Sequence, residues 1–427
     1  MKTLDYDIAV IGAGCAGISA AVCAARLGKR VLLVEKSAQL GGISTAILDT
    51  MNGFYLPGEG NKKAVRGIGE EIETELLARK EAFYRDNTYG SGRVITYSPE
   101  ALQEVYLNLL EQNQVSILFH SMVTEAETEN GTITRLIAET KKEKIELKAK
   151  MFIDTTGDGD VFYHAGFDYD GVNGSEHVQS LTTTFRMINV DETKLSSFTK
   201  EEMWAKMKEA SQSGEFHLPR WEGSFHKTTV PGCVQTNMVR VVKSDPTDVI
   251  QLSEAEIEGK KQAAEYAAFM KKYLPGFEQS SLLSTSVMIG VRETRRVIGE
   301  VVLTAQDVRE AAQFEDSVGL CGAPIEDHNR GTDTGWEYIK ENRTYGIPYR
   351  SLIPKGSKNL LTAGRCFSAD HTAHASCRSV AQCMAMGQAA GTAAALCVSE
   401  NCEVSALPYA LLKESLLKQN VQLSMGE

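Results

Sequence analysis

A short stretch near the C-terminal end of the chain concentrates side chains that can do chemistry. It holds two histidines, two cysteines and two arginines, namely Arg365, Cys366, His371, His374, Cys377 and Arg378. Imidazole transfers protons near neutral pH, thiolates carry electrons or bind metals, and guanidinium groups hold anions. An uncharged run rich in Ala and Gly follows at 381–398. The stretch therefore admits an acid–base site, a redox thiol pair, a metal site or a membrane anchor.

The cysteines argue against a metal site and a disulfide framework. The chain has nine of them, an odd number with no C-x-x-C, which indicates a reducing compartment. Cys366 and Cys377 lack the compact spacing of zinc ligands, and the His-x-x-His reads as part of a loop, so we predict no metal site. A relay through a Cys366–Cys377 disulfide stays open, beside the alternative of two packing cysteines.

The N-terminal segment shows which elements would position this chemistry. Residues 8–11 and 30–34 are apolar and read as buried parallel strands, and residues 18–27 between them read as an Ala-rich helix. Glu35 stands directly after the second strand. This order of strand, helix, strand and acid is that of a dinucleotide-binding βαβ unit.

A G-x-G-x-x-G motif joins the first strand to the helix. Gly12 permits the tight turn, Gly14 lets a diphosphate approach the backbone, and Gly17 allows the helix to pack on the strand. Cys15 and Ala16 lie between the glycines, just before the predicted helix, whose N-terminal N–H groups and dipole attract phosphate. We therefore predict all five residues as parts of a cofactor site.

The residues after the motif indicate which dinucleotide binds. Glu35 can accept hydrogen bonds from both hydroxyls of an adenosine ribose, and Lys36 beside it is a further candidate contact. Gly41 and Gly42 add a second glycine turn that NAD-only dehydrogenases do not need. In this placement the chain resembles the FAD-binding domain of glutathione-reductase-like and fumarate-reductase-like flavoproteins.

Later segments extend the resemblance along the chain. A helix predicted to start at Ser98 and short strands around the turn at 130–131 match the helical excursion and β-meander of that family. Thr156, Gly157 and Asp158 take the place of a Thr-Gly motif that approaches FAD in the family. The resemblance implies an α/β fold, a Rossmann-like FAD-binding domain with a parallel sheet and a β-meander.

The resemblance to this family also suggests how the chain is divided into domains. We expect the FAD-binding domain to comprise residues 1–166, with a helical insertion at 60–95, and residues 345–427. Residues 167–344 read as strands around one long amphipathic helix, with Ser253 as its N-cap, and are expected to form an inserted α+β substrate domain. No second G-x-G-x-x-G occurs, which argues against an NAD(P)H domain and leaves the electron donor or acceptor unknown.

The C-terminal return departs from the family at one position. A Gly followed by an acid contacts the ribitol in the family, whereas this chain has Gly364 followed by Arg365, which we expect to face the diphosphate. The final helix is predicted at 378–398, with Ser376 as candidate cap and Ser379 as a cofactor contact. Its N-terminus would point at the flavin, where a helix dipole stabilises negative charge by about 0.3–1 kcal/mol. The uncharged run is then a buried helix and not a membrane span.

The resemblance also places the histidines near the flavin ring. We predict that His371 or His374 is the catalytic acid or base, and that Arg378 orients an anionic or carbonyl oxygen. Arg292 is a predicted substrate contact. For Arg292 and the arginines at 295–296 the alternative is an ion-pair cluster with neighbouring glutamates.

The predicted activity is that of an FAD-dependent dehydrogenase or reductase, with hydride transfer between flavin N5 and a small polar organic substrate. A flavin monooxygenase and a non-catalytic FAD-binding subunit or sensor are the alternatives. No His follows the glycine pair within 43–55, so FAD is expected to be noncovalent. A net charge of −11 argues against nucleic-acid binding. Asp5 and Asp7 interrupt any signal-peptide pattern, so we expect a cytoplasmic protein, with its oligomeric state open.

Overall fold

The computed structural model describes residues 1–58, 61–172, 178–242, 244–328 and 332–425. The strands are β1 (Lys2–Ile11), β2 (Val31–Val34), β3 (Thr50–Met51), β4 (Ala82–Asp86), β5 (Arg93–Tyr97), β6 (Ser116–Leu118), β7 (Met122–Glu129), β8 (Thr132–Glu139), β9 (Lys144–Asp154), β10 (Tyr169–Asp170), β11 (Phe185–Ile188), β12 (Ser224–Lys227), β13 (Val234–Asn237), β14 (Ser281–Thr285), β15 (Arg296–Val297), β16 (Ser317–Cys321), β17 (Ile325–Asp327), β18 (Gly335–Glu337), β19 (Tyr345–Pro348) and β20 (Leu360–Thr362).

The helices are α1 (Cys15–Arg26), α2 (Ile43–Ala46), α3 (Ile68–Ala78), α4 (Pro99–Gln112), α5 (Asp160–His164), α6 (Lys200–Gln212), α7 (Val249–Tyr273), α8 (Ala305–Arg309), α9 (His371–Cys377), α10 (Val380–Glu400) and α11 (Tyr409–Lys418).

A 7-stranded sheet carries the predicted βαβ unit. Its order is β6-β2-β1-β9-β8-β7, and β20 pairs with the last part of β9. The pairs β6–β2, β2–β1, β1–β9 and β9–β20 are parallel, whereas β7, β8 and β9 form an antiparallel meander. The C-terminal strand thus completes a sheet begun at the N-terminus. The predicted fold class, a Rossmann-like α/β domain with a β-meander, is confirmed.

The helices α1 and α10 lie against each other beside this sheet. Gly387 and Gly391 make the contact possible, because a Cβ at either position would lie 2.1 Å from a backbone oxygen of α1, that of Ala16 or Ala20. Most side chains of α10 are buried. The uncharged run is therefore a core helix. None of the helices in the described part of the chain has the length and apolarity that a membrane crossing needs.

A second sheet, with the order β12-β13-β11-β14, has a separate apolar core. Side chains of α6 and α7 complete that core, among them Met203, Met207, Tyr266, Phe269 and Met270. A third, three-stranded sheet has the order β3-β5-β4. The predicted insertion at 60–95 is helical over α3 alone and continues into β4 and β5; its first residue, Gly60, lies outside the described residues.

The observed helix N-caps agree with the sequence prediction at one position and differ from it at two. Ser98 caps α4 as predicted, accepting a hydrogen bond from the Ala101 N–H at 3.3 Å. The prediction for Ser253 is wrong, because α7 begins earlier, at an N-cap formed by Asp248. The prediction for Ser376 is also wrong: it lies within α9, and Ser379 occupies the N-cap of α10.

Candidate functional site

A cleft of about 400 Å³ is lined by the loops that follow strands of the first sheet and by residues of β12 and β13 in the second. Nearly all of the predicted site residues lie on its wall: Gly12, Gly14, Cys15, Ala16, Glu35, Lys36, Gly41, Gly42, Thr156, Gly157, Asp158, Arg292, Gly364, Arg365, Arg378 and Ser379. Three predicted residues, Gly17, His371 and His374, do not. Two parts of the wall differ in construction. We call them the nucleotide wall (12–16, 35–42, 156–158 and 364–365) and the arginine wall (Arg292, Glu326, His328 and Arg378).

Glycines shape the nucleotide wall. Gly12 has a φ of +104°, and a Cβ there would lie 2.5 Å from the Thr155 carbonyl oxygen. A Cβ at Gly17 would lie only 1.8 Å from the Gly12 oxygen, so this residue packs the helix and does not face the cleft. At Gly14, by contrast, a Cβ would meet nothing within 4 Å. The space beside Gly14 is a cradle that a side chain would fill, as a diphosphate site requires.

Glu35 is held in place by backbone donors. Its Oε2 accepts from the Ala13 N–H at 2.8 Å, and its Oε1 accepts from the N–H and the hydroxyl of Ser37, both at 2.8 Å. A carboxylate oxygen has two lone pairs, so Oε2 keeps one for a ligand hydroxyl. The residue is thus fixed on the wall and still able to accept from a ribose.

Three charged side chains meet beside the glycine cradle. Asp158 lies between Lys36, at 3.6 Å, and Arg365, at 3.1 Å. Burial raises the pKa of Asp158, but Arg365 and then Lys36 outweigh it and lower the pKa below the ordinary value. Nη1 of Arg365 is buried and has no hydrogen-bond partner in the described part of the chain. This orphaned donor fits the diphosphate contact that the sequence suggested for Arg365.

Asp154, which sequence reasoning missed, fixes the turn that carries Asp158. Its Oδ1 accepts from the N–H and hydroxyl of Thr156, and its Oδ2 accepts from the N–H groups of Val161 and Phe162. Burial raises the pKa of Asp154 to about 6. The signal was present, since an acid at the end of a strand followed by a glycine turn commonly binds free backbone N–H groups.

The arginine wall brings together residues distant in the sequence. Nη1 of Arg292 donates to the Ser180 carbonyl oxygen at 2.7 Å, and Nη2 of Arg378 donates to that of Glu326 at 3.3 Å. Nε of Arg378 is buried without a partner among the described residues. Desolvation, and next the charge of Arg378, lower the pKa of Arg292 to about 9, so both groups are cationic at neutral pH.

Glu326 and His328 belong to the same wall and were not predicted. Oε1 of Glu326 lies 3.0 Å from Nε2 of His328, whose Nδ1 lies 3.1 Å from the Thr334 hydroxyl. Burial opposes ionisation of Glu326, but His328, Arg378 and Arg292 lower its pKa to about 2. Burial lowers the pKa of His328 well below its ordinary value, so the pair carries one negative charge. The hairpin β17–β18 that holds it has no sequence motif.

His371 lies in an ion-pair cluster and not on the cleft wall. The sequence prediction of a loop is wrong here, because Asp370 caps α9 and His371 is its first residue. Nδ1 of His371 lies 2.9 Å from Glu293, which also pairs with Arg296. The hydrogen bond to Glu293 raises the pKa of His371. Arg296 therefore belongs to an ion-pair cluster, which the sequence analysis gave as the alternative to a substrate contact.

His374 is completely buried. Its Nε2 lies 3.0 Å from the Arg365 carbonyl oxygen, and its ring stacks on Phe367 at 5.8 Å. Burial lowers the pKa of His374 to about 3, so the ring is neutral. This placement gives no support to the prediction that His371 or His374 touches the substrate. His226, Asp49 and Arg85 line the cleft instead and were missed.

Comparison with known proteins shows the family to which the chain belongs. Residues 7–416 match the model of the family described as FAD dependent oxidoreductase. The chain belongs to this family. FAD is therefore the cofactor of this flavoprotein, and the cradle at Gly14, the lone pair of Glu35 and the free donor of Arg365 fit it.

Two curated proteins resemble parts of the flavoprotein. A 4-oxocyclohex-2-ene-1-carboxylate 5-dehydrogenase from Sinomonas cyclohexanicum is 36% identical over 101 residues, which are 24% of this chain and 16% of that protein. A urocanate reductase from Eggerthella lenta is 36% identical over 73 residues, which are 16% of this chain and 12% of that protein. The matches thus span a small part of either relative.

Solved structures agree on the fold. A p-nitrophenol 4-monooxygenase from Pseudomonas putida superposes with a TM-score of 0.51 at 12% identity, covering 98% of this chain and 85% of that chain. At this identity the likeness shows the fold alone.

Proposed function

We propose that this flavoprotein dehydrogenates a small organic carboxylate, or catalyses the reverse reduction, with the carboxylate bound by Arg292 and Arg378. One observation carries the proposal. Both guanidinium groups line the FAD cleft, yet neither has a carboxylate within 4.0 Å in the described ranges of the chain. Partly desolvated guanidinium groups that converge on a cleft bind carboxylates with paired, charge-assisted hydrogen bonds.

The surrounding charges also favour an anion. Arg220 and Arg240 lie close enough to Arg292 to lower its pKa, which indicates a local excess of positive charge. Nη1 of Arg220 donates to the Asn237 carbonyl oxygen at 3.1 Å, and Nη1 of Arg240 donates to that of Asp333 at 2.9 Å. These groups stand behind the wall and, with Arg378, outnumber the opposing charge of Glu326 around Arg292.

The rest of the chamber suits an organic substrate. Tyr89 and Trp336 line the cleft and stack on each other with ring centroids 5.0 Å apart. Nε1 of Trp336 is buried and has no partner in the part of the chain that is described, so it is a further donor for a substrate oxygen. Bound FAD supplies the acceptor or donor of a hydride. The two curated relatives are named for carboxylate compounds, which agrees with this substrate class.

An anaerobic spectral screen tests the proposal. The FAD-loaded protein is mixed with small carboxylates, each paired with its carboxamide, and the flavin absorbance is followed; the dithionite-reduced protein is mixed with the unsaturated counterparts. We expect at least one carboxylate to bleach or restore the flavin while its carboxamide does neither. Equal response to both members of every pair, or no response in either direction, would contradict the proposal. Oxygen consumption coupled to hydroxylation of a substrate would support the monooxygenase alternative instead.

A further inference from the structure

We propose that His226, oriented by Asp49, is the group that takes or gives the substrate proton in this cleft. The inference rests on the proposed function, because dehydrogenation releases a proton besides the hydride. Two electrons and one hydrogen leave the substrate as a hydride, and the hydrogen on the adjacent atom leaves as a proton while the double bond forms. The hydride goes to FAD, and the proton needs a base in the cleft.

His226 and Asp49 have the geometry of such a base and its orienting acid. Nε2 of His226 lies 2.8 Å from Oδ1 of Asp49 and 3.2 Å from the hydroxyl of Thr50. All three residues line the cleft. The His226 side chain is 14% exposed and that of Asp49 only 2%, so the carboxylate is behind the imidazole and the imidazole has access to the cavity. Because Nε2 faces Asp49, Nδ1 is the nitrogen that can exchange a proton.

The pair joins β12 of the second sheet to the segment just before β3. Asp49 follows the second glycine turn, and His226 lies in β12 of the second sheet, opposite Gln235 of β13. Gln235 and Thr184 each donate to the Ile47 carbonyl oxygen, at 3.0 and 2.6 Å. One face of the second sheet is thus bonded to residues 47–50, which sets the position of the imidazole.

The other described histidines near the cleft are hydrogen-bonded to protein groups or buried away from the cleft. His328 has Glu326 on one ring nitrogen and Thr334 on the other. His374 is in the core, and His371 bonds Glu293 outside the wall. Within the described ranges, Oδ2 of Asp49 is a buried oxygen without a partner, so its negative charge is available to stabilise a protonated His226.

The test compares His226→Gln, His226→Ala and Asp49→Asn with the wild type. Each is loaded with FAD and reduced anaerobically by the carboxylate that bleaches the wild type fastest. We expect His226→Gln to slow flavin reduction by about 10²–10³-fold, since general acid–base groups contribute on that scale. Asp49→Asn should slow it less, about tenfold, because it removes orientation and charge but leaves the base. Added imidazole should restore part of the rate in His226→Ala, which a purely structural role would not produce.

His217, which is 72% exposed, provides the matched control, and His217→Gln should behave as the wild type. An unchanged reduction rate in His226→Gln would overturn the inference, as would a slow His226→Ala that imidazole does not rescue. Loss of FAD binding in His226→Gln would also overturn it, by showing a structural role. Failure of the proposed function looks different, because no carboxylate would then bleach the wild type.

Discussion

The nucleotide wall and the arginine wall differ in the groups that they present to the cleft. The nucleotide wall is made mainly of backbone, since glycines remove side chains and one acid, Glu35, sits on backbone donors. The arginine wall presents two long cationic side chains, Arg292 and Arg378, and in the described part of the chain each donates to one backbone carbonyl oxygen. The first is therefore suited to a diphosphate and a ribose, whereas we propose that the second leaves positive charge for a substrate anion to neutralise. Variants of the two walls should fail in different ways.

The largest effect is expected at Gly17. A Cβ 1.8 Å from the Gly12 oxygen forces the turn and α1 apart, so Gly17→Ala should cost about 3 kcal/mol of stability or more and yield protein without flavin. Gly14→Ala is the matched control, because its Cβ enters the open cradle. We expect it to keep the wild-type Tm as apoprotein but to lose FAD affinity. Equal Tm losses in both variants, measured with FAD removed, would show that the cradle is not a ligand site.

The arginine wall should give the next largest effect. Arg292→Met and Arg378→Met are each expected to weaken carboxylate binding about 100-fold, because truncating a partly desolvated charge pair costs several kcal/mol. FAD affinity should not change. Titration of the flavin spectrum with the carboxylate measures the first quantity, and flavin fluorescence measures the second. A loss of FAD affinity with unchanged carboxylate binding would reverse the assignment of the two walls.

Glu35 should show the reverse pattern with a smaller effect. Glu35→Gln keeps one acceptor oxygen for the turn but loses the charge that strengthens the ribose hydrogen bonds, so FAD affinity should fall about tenfold. The affinity of the FAD-loaded variant for the carboxylate should equal that of the wild type. If FAD binds as tightly as before, Glu35 does not hold the ribose.

The smallest effect is expected at His371, outside both walls. Its pKa is raised above 6.5 by the hydrogen bond to Glu293, so the folded state binds the proton more tightly than the unfolded state does. The stabilisation is complete below pH 6.5 and disappears as pH rises through the folded-state pKa. The difference in unfolding free energy between wild type and His371→Gln should therefore shrink from pH 6 to pH 9. A difference that is constant with pH, or a large loss of flavin reduction rate in this variant, would contradict the structural role.

Sequence reasoning succeeded where one continuous segment builds the feature. The turn from Gly12 to Gly17 and the acid at Glu35 follow each other along one βαβ unit, so spacing alone predicts their meeting. The parallel sheet and the meander followed for the same reason. Arg292 and Arg378 also lie on the cleft wall, where the sequence placed them, although their partners come from segments that spacing does not connect.

The histidines show why the other parts of the candidate site were not predictable from the sequence. His226 and Asp49 are 177 positions apart in the chain, and the bonds between the second sheet and Ile47 help to bring them together. His371 and His374 looked catalytic because they lie close to the final helix in the chain. Asp370 turns that segment into a short helix, which directs His374 into the core. The cap residue was visible in the sequence; the burial it causes was not.

The most direct test of the two-wall account is a crystal structure of the FAD-loaded protein with a bound carboxylate. FAD is predicted to place its diphosphate beside Gly14 and Arg365, and the carboxylate is predicted to lie between Arg292 and Arg378. A carboxylate bound away from both arginines, or FAD bound with its ribose away from Glu35, would contradict it.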